Sequence, residues 1–178
     1  ASLEGGTTVV DCEHIVELKT GSTGALTARL GAELAGLSED ERERWAQIGS
    51  SIYSAMQVAS DINDVWGKPL SPDLANCILT LPIVYACRTL EGKEQARLHQ
   101  LLCSRTSDPS HHQEMRALIS ASGALRYSLL RAEVYRQRAI SALSKLDLQP
   151  AGALCRSDGT YASQWGERSA GPCLARNR

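Results

Sequence analysis

The residues best placed to do chemistry are Gln57, Ser60, Asp61 and Asp64, in the stretch QVASDIND. Residues three and four apart share a helix face, so Gln57, Asp61 and Asp64 line up, with Ser60 beside them. The two acids follow a run, 45–60, that holds no Asp, Glu, Lys or Arg. A helix uncharged all round is usually buried. Its apolar positions Trp45, Ile48, Ile52, Ala59 and Ile62 point roughly away from the acids. Carboxylates at a helix C-terminus also oppose the helix dipole, which favours cations there. Two acids on a helix otherwise fit for burial call for a compensating positive charge. Mg2+ meets that need, because it is held by one or two carboxylates plus substrate phosphates and water. The plainer reading is that Asp61 and Asp64 mark where the helix reaches solvent, since charged residues are mostly exposed. On geometry alone both readings stand.

The elements that must hold these residues read as helices. Ser38 with Glu41 three residues on forms a capping box, and the acids of SEDERE suit the positive end of the helix they open. That helix is predicted over about 38–66, ended by Gly67-Lys68-Pro69. Upstream, Asp11 is a candidate N-cap for a short helix through Leu18. The stretch 19–37 alternates small and apolar residues, and Gly21 and Gly24 predict a break near them. From Ala25 the helix improves, with Arg29 and Glu33 as an i,i+4 pair. A kink there would present Lys19 and the Thr20 hydroxyl to a ligand; otherwise Lys19 is a surface lysine at a helix end. Downstream, Ser71-Pro72-Asp73 opens another helix, and the uncharged run 74–87 predicts a second buried one, kinked by Pro82. An amphipathic helix follows with Leu98, Leu101 and Leu102 on one face. Asp108-Pro109 starts the next, with His111 and His112 read as surface residues at its exposed start. From Met115 apolar residues recur at helical spacing, divided at Gly123. The expected architecture is an all-α bundle of roughly six to eight helices over 1–148. A Gly-, Ser- and Ala-rich tail over 149–178 has no lasting apolar period and is expected to be flexible.

Bulk properties narrow the function. The chain has 178 residues and a net charge of −1, and no basic cluster marks a nucleic-acid surface. The first residues, ASLEGGTT, lack the basic and apolar regions of a leader, and no apolar run is long enough to span a bilayer. A cytoplasmic protein is therefore expected. Six cysteines occur without a CxxC pair or a zinc-like Cys–His spacing, and Cys77 and Cys87 read as small buried hydrophobes. Phe is absent. There is no nucleophile elbow, no HExxH and no phosphate loop, which leaves the cluster of acids and lysines.

Gln57-Val-Ala-Ser60-Asp61-Ile-Asn-Asp64 resembles the second aspartate-rich motif, Gln-x-x-Asp-Asp-x-x-Asp, of the trans-isoprenyl diphosphate synthases, the polyprenyl synthetase family. Lys19-Thr20-Gly21 is similar to the family's Lys-Thr motif. Gly67-Lys68-Pro69, Asp73-Leu74 and Thr80-Leu81-Pro82-Ile83 resemble its GKP…DL…TLPL segment. These motifs stand in the family's order, over roughly 10–145, and correspond to its C-terminal half only. The resemblance implies an isoprenoid-synthase helical bundle, incomplete on its N-terminal side. It implies a prenyltransferase that elongates an allylic diphosphate by Mg2+-assisted ionisation.

On that resemblance Asp61 and Asp64 bind Mg2+, while Lys19, Thr20, Gln57 and Lys68 contact diphosphate oxygens or waters beside them. Ser50, Tyr53 and Ser54 would wall the substrate's apolar cavity, or else pack on a neighbouring helix. The sequence departs from the pattern at Ser60, where the family has Asp, and at Leu79, where it often has Lys. The first aspartate-rich motif is absent, so this chain alone is expected to have little turnover. A homo-oligomer or a second chain would supply that motif. A terpene-cyclase relative with the same ionisation chemistry, or a non-catalytic subunit pairing with a synthase, are the alternatives.

Overall fold

The first helix is set by its cap. Thr8 accepts from the Asp11 N–H at 3.1 Å, and the Asp11 carboxylate accepts from the Thr8 N–H at 2.8 Å. This capping box starts α1, Val9–Val16. Asp11 is therefore the third residue of the helix and not its cap, because a capping box wants an acid at that position. The computed structural model describes residues 6–67, 69, 71–105 and 108–146. Among them every regular element is helical, as expected for an all-α fold. The chain divides into Ala1–Leu146 and Asp147–Arg178. Lys68, Cys155, Cys173 and the expected tail lie outside the described residues.

The break predicted near Gly21 takes the form of a π-helical turn, Glu17–Gly21, joining α1 to α2, Ser22–Leu34. The predicted i,i+4 pair of Arg29 with Glu33 does not form. Arg29 instead meets Glu39 and Glu43, and Arg42 meets Glu33, so these charges tie α2 to the next helix. That helix is α3, Glu39–Trp66, 28 residues long and opened by the Ser38–Glu41 capping box. At 1.5 Å per residue it runs roughly 42 Å.

Helices α2 and α3 cross at Gly24 and Gly49. A Cβ on Gly24 would lie 2.3 Å from the Gly49 carbonyl oxygen, and one on Gly49 2.2 Å from that of Gly24. Only glycine on both sides permits this approach. The other long side of α3 packs against α8, so α3 is the spine of the unit. It is not buried all round: Ile52 is 44% exposed and Met56 61%, and Ala59 is exposed as well. The face it buries carries Ala46, Ile48, Gly49, Ser54, Val58, Asp61 and Val65. Lack of charge did not choose the buried side; the partners α2 and α8 did.

Ser71 accepts from the Leu74 N–H and opens α4, Pro72–Ala75, with Pro72 in the first turn. The single kinked helix expected over 74–87 is two elements. The chain turns through Cys77, whose φ of +54° is left-handed, and restarts as α5, Leu81–Thr89. Pro82 sits in the first turn of α5, where a missing N–H costs nothing. Helices α6, Gly92–Ser104, and α7, Pro109–Ala121, follow. Gly123, at φ +81°, provides the left-handed residue that separates α7 from α8, Ala124–Leu143.

His112 corrects the reading of a surface pair. It is fully buried, and its Nδ1 accepts from the Ser71 N–H at 3.3 Å. One apolar cluster joins Val65, Leu74, Ile83, Leu98, Leu102, Met115 and Ile119. A second joins Cys12, Val16, Val58, Leu81, Val84 and Tyr135 beside α1. Among the described residues no helix is long and apolar enough to cross a membrane.

Candidate functional site

A cavity of about 270 Å³ lies between α1, the π turn, α3 and the turn that precedes α5. From the first segment it is lined by Cys12, Ile15, Val16, Lys19 and Thr20. These fall at i, i+3, i+4, i+7 and i+8, one helical stripe. From α3 come Gln57 and Asp61, from α4 Asp73, and from the turn Ile78, Leu79, Thr80 and Leu81. The left-handed Cys77 swings that turn under the cavity, a conformation that costs about 1 kcal/mol for a residue with a Cβ.

The polar wall is wired together. Thr20 Oγ1 donates to Gln57 Oε1 at 2.9 Å, and Gln57 Nε2 donates to Asp61 Oδ1 at 2.8 Å. The Leu81 N–H reaches Asp61 Oδ2 at 3.5 Å. Asp61 is only 4% exposed. Burial pushes its carboxyl above the ordinary aspartate value, against the opposing pull of the Gln57 and Leu81 hydrogen bonds; the charges of Asp73 and Asp64 push it further. Burial therefore disfavours the ionised form of this carboxylate.

The structure brings together four of the residues singled out by sequence: Lys19, Thr20, Gln57 and Asp61. Asp64 stands one turn beyond Asp61, half-buried, and does not line the cavity. Ser60 is exposed. Ser50, Tyr53 and Ser54 lie where the π turn and α2 press on α3. A Cβ on Gly21 would come within 2.9 Å of both the Ser50 and Ser54 hydroxyls, and one on Gly24 within 2.6 Å of the Tyr53 ring. None of the three lines the cavity around Asp61, and Ser50 also borders a separate cavity of about 780 Å³ with Arg44, Gln47 and Gln137.

Asp73 is the functional candidate given no role by sequence. It stands in the DL segment, two residues after Ser71, so the motif position itself was the available clue. The stripe leading from Cys12 into Lys19 and Thr20 was also visible as spacing.

The donors fit a hard divalent cation of one kind. Mg2+ takes one or two carboxylates and fills its remaining positions with phosphate and water oxygens. Asp61 and Asp73 face one cavity, and the buried Thr80 Oγ1 there has no hydrogen-bond partner among the described residues. No cluster of three His, Cys, Asp or Glu side chains that could cage an ion occurs among the described residues. The set therefore suits an ion shared with a phosphate ligand.

Residues 3–119 match the pattern of the polyprenyl synthetase family. The chain belongs to the polyprenyl synthetase family. It is 32% identical over 142 residues to the nonaprenyl diphosphate synthase of Mycobacterium tuberculosis, covering 76% of this chain and 41% of that protein. Its fold is similar to that of a polyprenyl synthetase from Streptomyces coelicolor, with a TM-score of 0.73 and 25% identity, over 80% of this chain and 46% of that one. It is also similar to a geranylgeranyl pyrophosphate synthase from Corynebacterium glutamicum, solved with calcium and isoprenyl diphosphate. There the TM-score is 0.69 and the identity 25%, over 79% of this chain and 45% of that one. This polyprenyl synthetase chain spans less than half the length of these relatives.

Proposed function

We propose that the chain forms the C-terminal part of a cytoplasmic prenyltransferase, and that its cavity is a half-site for the diphosphate of an allylic isoprenoid. The observation that carries this is a nearly buried carboxylate, Asp61, on one cavity with Lys19 and Thr20. In this reading Asp61 and Asp73 hold Mg2+, with Asp64 supporting from the next turn. Held there, the ion would supply positive charge to the diphosphate oxygens as that group leaves the allylic carbon. Lys19 donates to those oxygens from the rim. Gln57 holds both the Thr20 hydroxyl and the Asp61 carboxylate in place, so neither must reorganise when charge develops. Lys68, four residues after Asp64 in the sequence, is taken as a further donor to the diphosphate oxygens. Ile15, Val16, Leu79 and Leu81 keep water from the hydrocarbon, whose cation water would quench.

Two carboxylates balance only part of a diphosphate's charge. The remaining ligands come from an aspartate-rich segment on a second chain or elsewhere in the whole protein, so residues 1–178 alone turn over little substrate. The relatives' names and the calcium and isoprenyl diphosphate of the Corynebacterium enzyme support this reading.

The test is thermal unfolding with pyrophosphate, with and without Mg2+. A ligand at 100 times its Kd stabilises by about 2.7 kcal/mol, a rise of roughly 5–10 °C in a domain of this size. That rise should require Mg2+ and vanish in Asp61→Ala. A pyrophosphate response that is absent, or indifferent to Mg2+, defeats the proposal.

A second reading, a non-catalytic subunit that pairs with a synthase, is favoured by Leu26, Leu30 and Leu34. They form an exposed stripe on α2, 58%, 53% and 84% accessible. The same titration separates the two readings, because a pure scaffold gains nothing from the ligand.

A further inference from the structure

The segment that carries Lys19 and Thr20 has two working faces. Cys12, Ile15, Val16, Lys19 and Thr20 line the cavity. Glu13 and Glu17, about a third of a turn round the helix, reach the other way, to α8. Glu13 accepts from the Tyr127 hydroxyl at 2.7 Å and from Arg131 Nη2 at 2.8 Å. Glu17 accepts from Arg138 Nη1 at 3.0 Å. The two guanidinium groups lie 5.6 and 5.3 Å from the centre of the buried Tyr135 ring, within cation–π range. Tyr127 in turn stacks on Tyr85 of α5, with ring centres 4.3 Å apart. Residues 127, 131, 135 and 138 form one stripe of α8, and that stripe grips the two glutamates that flank the start of the π turn.

The grip matters because a π turn is an unfavourable conformation that persists only where its surroundings impose it. The same residues could close as ordinary α-helix if the chain on one side rotated by roughly one residue, or 100°. Downstream, rotation is blocked where Gly24 meets Gly49 backbone to backbone. Upstream, it is blocked by the packing of Cys12 and Val16 and by Arg88 of α5 on the Gly6 and Thr7 carbonyls that lead into α1. It is also blocked by the ion pairs of Glu13 and Glu17 with α8, which stand on either side of the α1–turn junction. Lys19 and Thr20 lie in the middle of the turn, so any slip moves them off the cavity wall and parts Thr20 from Gln57.

We propose that Arg131 and Arg138 are positioning residues: by holding Glu13 and Glu17 they fix the π turn, and with it the Lys19–Thr20 pair, on the diphosphate cavity. The functional half of this statement rests on the reading of the cavity above; the structural half does not.

The experiment compares wild type with Arg131→Met, Arg131→Lys and the milder Arg138→Gln, using amide hydrogen exchange without ligand and titration with Mg2+-pyrophosphate. In Arg131→Met the amides of 18–21 should exchange at least tenfold faster, while those of 58–65 in α3 keep their protection. The Kd for Mg2+-pyrophosphate should rise about tenfold. Arg131→Lys, which keeps the charge, should recover part of both effects, and Arg138→Gln should show a weaker version of them.

Unchanged protection at 18–21 in a folded Arg131→Met overturns the proposal. So does a uniform loss of protection that includes 58–65, since a general structural prop would act that way. If Arg131→Met does not fold, Arg138→Gln decides by the same exchange criterion. If wild type fails to bind Mg2+-pyrophosphate, the reading of the cavity falls, while the exchange data still judge the clamp.

Discussion

His112 and Asp61 are both ionisable and both nearly sealed from water, at 0% and 4% exposure. They sit in regions that use burial differently. The Nδ1 of His112 is spent on a backbone N–H at the start of α4. That contact holds a chain turn. Around Asp61 the partners are side chains, Gln57 and through it Thr20, and the carboxylate borders a cavity with Lys19 and Asp73. Burial and a hydrogen bond are common to both. The difference is whether the polar group completes the fold or waits beside a space. Only the second leaves a charge that a ligand can balance.

Three measurements break or sharpen this contrast. The largest effect should come from His112→Ala. It leaves the Ser71 N–H unpaired and a hole among Leu74 and its neighbours, at a cost of about 3 kcal/mol. Calorimetry should show the midpoint falling by roughly 6–12 °C, while pyrophosphate binding at low temperature stays intact. Weakened binding there would erase the distinction.

Asp61→Asn should do the reverse. The Gln57 amide can turn to donate to Thr20 and accept from the new amide, so every partner remains satisfied and a buried charge is removed. Without Mg2+ at neutral pH the variant should melt roughly 2–4 °C higher, which is what about 1 kcal/mol gives, and it should lose the Mg2+-dependent response. The sign with pH follows from burial holding the folded carboxyl above its ordinary value. Wild type gives up stability as pH rises from the ordinary aspartate value through the raised folded one. The gap between the two proteins should therefore be full above it and close as pH falls below the ordinary aspartate range. A gap that ignores pH would show that Asp61 is not the source.

The smallest effect belongs to Thr20→Val, which deletes the donor to Gln57 and keeps the shape. It should weaken Mg2+-pyrophosphate binding about fivefold, near 1 kcal/mol, measured by isothermal titration. An unaltered Kd would mean that the Thr20–Gln57–Asp61 wiring contributes nothing at the cavity.

Much of the frame was legible because it is locally encoded. Ser38 with Glu41, Ser71 with Pro72, Asp108 with Pro109, and Gly123 each mark a boundary within a few residues, and each stands where its chemistry placed it. Pro82 was read as a kink because the apolar run on either side looked continuous. The left-handed Cys77 that interrupts it has no signature in residue type. The exposure of Ile52 and Met56 and the burial of His112 depend on which helices pack where, and a window of sequence cannot report that. Asp61 could be named from its neighbours on the helix. Asp73 could not be ranked above Asp64, because its place on the cavity is made by the turn after α4, far from the acids it joins.

The meeting of Gly24 and Gly49 limits how this protein could be redesigned. Where two helices touch through bare backbone there is no side chain to trim and no room to add one, so the distance between them is not an adjustable quantity. Anyone wishing to deepen or narrow the Asp61 cavity must work at its own lining, with Ile15, Ile78 and Leu79 as the dials to turn.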